Sequence, residues 1–108
     1  MREITCSTIT DAIKKMCIEA ATILPQDVEK ALSQKHDEED SALAKKTLQV
    51  LMDNAKLAQE KQMPICQDTG MAFVYVTMGQ EVHITGGSLN EAIQEGVRSE
   101  ERRVGKEC

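Results

Sequence analysis

The sequence has 108 residues, a formal net charge of −5, no tryptophan, and only one tyrosine and one phenylalanine. An acidic chain with so few aromatic side chains lacks the basic surface and the stacking residues of a nucleic-acid-binding domain. No apolar run approaches the roughly 18 residues of a membrane-spanning helix, and the first residues do not resemble a secretory signal. We therefore expect a small globular domain in the cytoplasm, with no nucleic-acid or membrane partner.

Three helices are predicted in the first part of the chain, because apolar side chains recur there at every third or fourth position. The first helix follows capping candidates at residues 5–8 and carries Cys17 on its apolar face. Pro25 suits the first turn of the second helix, which ends at an acidic stretch, residues 36–40. Ser41 is a candidate N-cap for the third and longest helix, which leads towards Cys66.

The hydrophobic period changes after this helix, which indicates strands. Residues 71–77 are β-branched, aromatic and almost continuously apolar, which is typical of a strand buried on both faces. Gly79 and Gln80 predict a turn, and residues 81–85 alternate like a partner strand, with His83 on the polar, surface-facing phase. Ser88 then begins a capping pattern for a fourth helix. The sequence predicts an α+β fold, with N-terminal helices followed by a β-hairpin and a further helix.

A polar loop joins the third predicted helix to the first predicted strand. Pro64 ends the helix, because proline disfavours the helical conformation of the residue before it. Cys66, Gln67, Asp68 and Thr69 then follow in a row. Loops held between rigid elements often carry chemistry, but an isolated cysteine is also often a small buried core residue. The residues alone leave both interpretations of Cys66 open.

The spacing of the cysteines excludes a self-contained metal motif. The chain has four cysteines, Cys6, Cys17, Cys66 and Cys108, and no two of them have the Cys-x-x-Cys spacing of zinc and redox sites. In a reducing compartment they are expected to be free thiols. If Cys66 binds a metal, most of the other ligands must come from outside this stretch.

The last eleven residues differ in character from the rest of the chain. Residues 98–108 read RSEERRVGKEC, with one aliphatic side chain and no hydrophobic period. This segment resembles the in-frame translation of a common sequencing adapter. We expect residues 1–97 to be one domain segment and residues 98–108 to be non-native, the alternative being a disordered charged tail.

The chain resembles the α subunit, or N-terminal catalytic domain, of the iron–sulfur hydro-lyases, namely class I fumarate hydratase and L(+)-tartrate dehydratase. The most specific part of the resemblance is Cys-Gln-Asp-Thr-Gly at residues 66–70, within a matching stretch at residues 64–72. The resemblance runs in order from residue 1 to about residue 97, and a complete α subunit of this family is much longer. The other matching segments are residues 2–4, 14–20, 24–25, 79–80, 82–84 and 86–89.

The resemblance implies a cofactor, a reaction and a partner. Cys66 is expected to be one of three cysteine ligands of a [4Fe–4S] cluster, with the other two later in the α chain. Gln67 is expected to hydrogen-bond a substrate carboxylate, Asp68 to orient or tune the group that moves the proton, and Thr69 at least to fix the loop. The implied reaction is reversible hydration of a small dicarboxylate, fumarate to malate. A β subunit completes the implied hetero-oligomer, so this fragment of a larger catalytic domain is expected to be inactive alone.

Three alternatives remain beside the fumarate reaction. The parent protein could be an L(+)-tartrate dehydratase α subunit. The chain could instead be a non-enzymatic helical interaction domain in which Cys66 is inert. Cys66 could also be a nucleophile, which needs a base, and the histidines of the chain are His36 and His83.

Overall fold

A computed structural model describes residues 1–66 and 70–105, with side chains described up to residue 100. Four helices and two short strands form, so the predicted α+β class and the four predicted helices are confirmed. Within the described part of the chain, no helix has the length and apolarity to cross a bilayer. The elements in chain order are β1 (Arg2–Thr5), α1 (Cys6–Thr22), α2 (Gln26–Glu38), α3 (Ala42–Lys61), β2 (Val82–Thr85) and α4 (Leu89–Gly105).

The residues divide into two compact units. The first contains Met1–Ile18 and Asp68–Cys108, and the second contains Glu19–Gln67. The first unit therefore holds both strands, most of α1 and all of α4. The second unit holds the end of α1 together with α2 and α3.

A two-stranded parallel sheet begins the first unit. β1 pairs with β2 in the register Arg2–Val82 to Thr5–Thr85, and the Arg2 N–H donates to the Glu81 carbonyl oxygen at 2.9 Å. Each strand is followed by a helix. α4 begins after Ser88, whose Oγ accepts a hydrogen bond from the Glu91 N–H at 3.1 Å, so the predicted cap is confirmed.

α4 crosses α1 at very short range in the same unit. A Cβ placed on Gly96 would lie 2.6 Å from the Ile13 Cβ and 2.9 Å from the Thr10 carbonyl oxygen. The Thr10 hydroxyl donates to the Ala92 carbonyl oxygen at 2.9 Å. Ile13 and Ala92 are buried at this crossing. Small residues on α4 thus allow the two helix backbones to meet.

The predicted β-hairpin over residues 71–85 does not form. β2 pairs with the N-terminal β1, in parallel, and residues 71–78 have no assigned strand. Their side chains are exposed, including Phe73 at 70% and Tyr75 at 92%. The apolar pattern indicated burial on both faces, but a strand acquires that burial only from neighbouring elements, and the described residues leave residues 71–78 exposed.

The second unit is a pair of helices, α2 packed on α3. The Ser41 Oγ accepts a hydrogen bond from the Ala44 N–H at 3.4 Å, which confirms the predicted cap of α3. Ala55 and Ala58 on α3 are buried, whereas α2 buries no residue fully. Three large side chains spaced seven residues apart on α3, Leu43, Val50 and Leu57, are exposed.

The end of α4 differs from the expectation for the tail. The alternative of a disordered charged tail does not describe residues 98–105, because α4 continues to Gly105. Glu100 is only 8% exposed, and its carboxylate acts on the Cys17 thiol. Glutamate and arginine favour helices, and the continuation of α4 places Glu100 near Cys17 of α1.

Candidate functional site

The approach to the cysteine loop is set by the way α3 ends. Gln62 adopts a left-handed backbone conformation, with φ of 54°. Its N–H donates to the carbonyls of Ala58 and Gln59, and the Met63 N–H donates to the Ala58 carbonyl oxygen at 3.0 Å. This is a Schellman-type helix end, which satisfies carbonyls that the last turn would otherwise leave unpaired. Pro64 follows two residues later and prevents the helix from continuing, as predicted.

The residue before the cysteine is held from both sides of its backbone. The Ile65 N–H donates to the Ala21 carbonyl oxygen in the last turn of α1 at 2.8 Å. The Asn54 side-chain amide, from the middle of α3, donates to the Ile65 carbonyl oxygen at 2.7 Å. Asn54 was not among the predicted site residues. Asparagine is a poor residue for a helix interior because its amide competes for backbone hydrogen bonds, and that mismatch is the sequence signal that points to it.

Cys66 lies immediately after this fixed point, and its side chain is exposed. The interpretation of Cys66 as a buried structural residue is therefore wrong. Its thiol faces solvent at the end of a backbone segment that two hydrogen bonds restrain. The other three predicted site residues, Gln67, Asp68 and Thr69, lie outside the described residues.

The remaining described cysteines belong to the first unit and have different surroundings. Cys17 is half-buried, and burial, with a smaller contribution from the Glu100 carboxylate, raises the pKa of its thiol. The Cys6 Sγ lies 3.6 Å from the Ser88 carbonyl oxygen, to which the thiol donates. Across residues 1–66 and 70–100, no three or more His, Cys, Asp or Glu side chains form a group suited to a metal ion. In the part that the structure describes, Cys66 is thus a single donor.

The two histidines offer no support for a nucleophilic Cys66. His36, in the second unit, places its Nδ1 3.3 Å from the Asp37 carboxylate. His83 lies on β2, exposed, and pairs with Glu3 of β1 in the sheet register, as the polar phase of its strand predicted. A nucleophilic cysteine needs a base within hydrogen-bond reach. Neither contact provides one.

Comparison with known proteins identifies relatives over most of the chain. A family model described as fumarate hydratase (Fumerase) matches residues 10–104. A protein of Methanocaldococcus jannaschii, provisionally named L(+)-tartrate dehydratase subunit alpha, is 36% identical over 97 residues, which are 89% of this chain and 34% of that protein. The L(+)-tartrate dehydratase subunit alpha of Escherichia coli K12 is 29% identical over 90 residues, which are 81% of this chain and 30% of that protein.

These similarities cover nearly all of this chain but a limited part of its relatives. The chain spans about a third of the length of the curated relatives it matches. The matched residues include most of α1 and α4, all of α2 and α3, and the cysteine loop. The chain belongs to the fumarate hydratase (Fumerase) family.

Proposed function

We propose that this chain is the N-terminal part of the α-type catalytic domain of a hydro-lyase that reversibly adds water to fumarate to give malate. The observation that carries the proposal is the exposed Cys66 thiol at a restrained loop, inside a stretch that matches the fumarate hydratase family. A β subunit would complete the enzyme, as the name "subunit alpha" of the relatives suggests. This chain alone would be inactive.

The donor chemistry of Cys66 fits one corner of an iron–sulfur cluster. Thiolates are the usual ligands of such clusters, and an exposed thiol at a restrained loop is accessible to one. The described residues supply this one ligand, so the two further cysteines would come from elsewhere in the α subunit. When bound, a [4Fe–4S] cluster with one iron lacking a cysteine would supply Lewis-acid polarisation of the substrate oxygens.

The three residues after Cys66 would position the substrate and the group that moves the proton. The Gln67 amide would donate a hydrogen bond to a substrate carboxylate and fix its orientation. The Asp68 carboxylate would orient the group that moves the proton, or tune the pKa of that group. The Thr69 hydroxyl would hydrogen-bond the loop backbone and so hold the Gln67 and Asp68 side chains in position. Because these groups directly follow a cluster ligand in the chain, they would hold the substrate next to the cluster.

Removing the cysteine tests the proposal. We expect Cys66→Ala in the full gene product, purified with its β partner, to lose both iron–sulfur absorbance and hydratase activity after anaerobic reconstitution with iron and sulfide. The matched control is Cys17→Ala, which removes a half-buried thiol of the first unit and should keep the absorbance. Air should inactivate the wild type, because an open iron is accessible to oxidants. Full activity in Cys66→Ala, or an active wild type without iron, would rule the proposal out.

The Asp68→Asn variant tests the catalytic role of the loop separately from cluster binding. This change keeps the shape of the side chain but removes its charge, and it touches no cluster ligand. We expect normal iron–sulfur absorbance with a turnover about 10²–10⁴-fold lower, the usual effect of misplacing an acid–base group. Loss of the absorbance in this variant would show that Asp68 supports the cluster instead.

A second candidate function is dehydration of L(+)-tartrate, which also fits the names of the relatives. Turnover of fumarate, malate and L(+)-tartrate by the same reconstituted enzyme distinguishes the two activities, because the ratio of kcat/KM values reports the preferred substrate. A protein that takes up no iron and turns over none of these substrates would instead support a non-enzymatic helical interaction domain.

A further inference from the structure

We propose that Asn54 is a positioning residue for Cys66, holding the peptide that carries the cluster-ligating thiol. The inference rests on the proposed function, since it assumes that Cys66 binds the cluster. It starts from one contact, in which the Asn54 Nδ2 donates to the Ile65 carbonyl oxygen at 2.7 Å. That carbonyl belongs to the peptide bond that joins Ile65 to Cys66.

The planarity of the peptide bond extends the effect of the Asn54 contact from Ile65 to Cys66. Because the peptide bond does not rotate freely, fixing the carbonyl oxygen of Ile65 also fixes the direction of the Cys66 N–H. The Ile65 N–H is held separately by the Ala21 carbonyl oxygen at 2.8 Å. Ile65 is thus bound at its donor by the end of α1 and at its acceptor by the middle of α3. The rotation left to the thiol is then mainly about the backbone and side-chain bonds of Cys66.

The side chain spans an unusual sequence distance for a polar residue on a helix. Asn54 reaches a residue eleven positions later, whereas the neighbouring amide, Gln49, bonds Asp53 one turn along the same helix at 2.9 Å. Both contacts are exposed amide hydrogen bonds on α3, but the Gln49 contact does not touch the cysteine loop. Gln49 therefore provides a matched control.

Four variants of the full gene product, with its β partner, test the role of Asn54. Asn54→Ala removes the donor, and Asn54→Asp keeps the shape but presents carboxylate oxygens to a carbonyl oxygen. Asn54→Gln restores an amide on an arm one methylene longer, and Gln49→Ala is the control. The first readout is amide hydrogen exchange of Met63, Ile65 and Cys66 in the metal-free protein, since Pro64 has no amide hydrogen. The second is the rate at which a chelator bleaches the iron–sulfur absorbance of the reconstituted protein.

We expect exchange and bleaching to be about 2- to 10-fold faster in Asn54→Ala, the range for losing one solvent-accessible hydrogen bond. Asn54→Asp should be at least as fast, because it adds repulsion. Asn54→Gln should recover part of the wild-type behaviour, and Gln49→Ala should match the wild type. This recovery by the longer amide is a result that a general loss of helix stability would not give.

Three results would overturn the proposal in distinguishable ways. If the wild type binds a cluster and Asn54→Ala bleaches no faster than Gln49→Ala, Asn54 has no positioning role while the proposed function stands. If the wild type takes up no cluster, Cys66 is not a ligand and both proposals fail. Third, unchanged amide exchange at Met63, Ile65 and Cys66 in Asn54→Asp would reject the contact itself.

Discussion

Replacing Gly96 with alanine should destabilise the first unit, because α4 crosses α1 so closely at this residue that a methyl group has no space. The added Cβ would lie 2.6 Å from the Ile13 Cβ, 2.7 Å from the Ile13 Cγ2 and 2.9 Å from the Thr10 carbonyl oxygen. Carbon atoms in contact prefer separations of roughly 3.5–4.0 Å. One of the three clashing atoms belongs to the backbone of α1, so a side-chain rotation alone cannot remove the overlap.

The size of the effect follows from opposing contributions. Alanine favours a helix over glycine by about 1 kcal/mol. Forcing the two helices apart costs about 1–3 kcal/mol, as for other overpacked sites. The separation also stretches the bond from the Thr10 hydroxyl to the Ala92 carbonyl, now 2.9 Å long, with a loss of about 1 kcal/mol. We expect Gly96→Ala to lower the free energy of unfolding by roughly 1–3 kcal/mol.

Urea unfolding of the full gene product measures this change, with Gly79→Ala as the control. A Cβ on Gly79 would meet the Val82 Cγ2 at 3.9 Å, an ordinary contact, so this variant should stay within about 0.5 kcal/mol of the wild type. Gly96→Ala should also shift the midpoint without changing the slope of the transition. A Gly96→Ala protein as stable as the wild type, or more stable, would refute the close crossing of α1 and α4.

Three other predictions follow from single residues or segments. The raised pKa of Cys17, whose ordinary value is 9.0, means that the folded state holds this proton more tightly than the unfolded state. The contribution of Cys17 to the free energy of unfolding is therefore complete below pH 9.0 and is lost as the pH rises through the folded-state pKa. Unfolding measured against pH should accordingly show a smaller loss of stability at alkaline pH in Cys17→Ala than in the wild type. Ser88→Ala should destabilise α4 by about 1 kcal/mol in chemical denaturation, through loss of the bond from the Glu91 N–H. Resequencing the genomic locus should not recover codons for residues 99–108; clean reads across them would make the segment native, in line with the family match to residue 104.

The helices could be predicted because their signals are local. Hydrophobic spacing and capping residues act within a few positions, and Ser41 and Ser88 both form the caps that the sequence indicated. Pro64 marked the end of α3 within three residues, since the helix stops at Lys61. The exposed position of His83 also followed from the alternation of its strand. These features need no knowledge of distant parts of the chain.

Features that depend on distant partners could not be predicted. The alternation of residues 81–85 indicated a strand but not that β1, some eighty positions earlier, would pair with it. The apolar pattern of residues 71–77 specified a need for burial without specifying what provides it. An asparagine in a helix interior signalled an unusual role for Asn54, but the local sequence did not identify the Ile65 carbonyl as its partner. The identity of Cys66 as a candidate ligand came from family resemblance, while its exposure came from the structure.

Residues 71–78 give this chain an aggregation hazard. The segment reads Met-Ala-Phe-Val-Tyr-Val-Thr-Met, with no charge, proline or glycine, and all of its side chains are exposed. Uncharged stretches of six or seven residues with high β-propensity stack readily into intermolecular sheets when they are unprotected. Natural proteins guard such stretches with charged residues or by covering them. During synthesis this segment emerges before the rest of the catalytic domain that we propose. The yield of folded protein would therefore depend on how quickly later parts of the chain cover residues 71–78, or on a chaperone that binds them first.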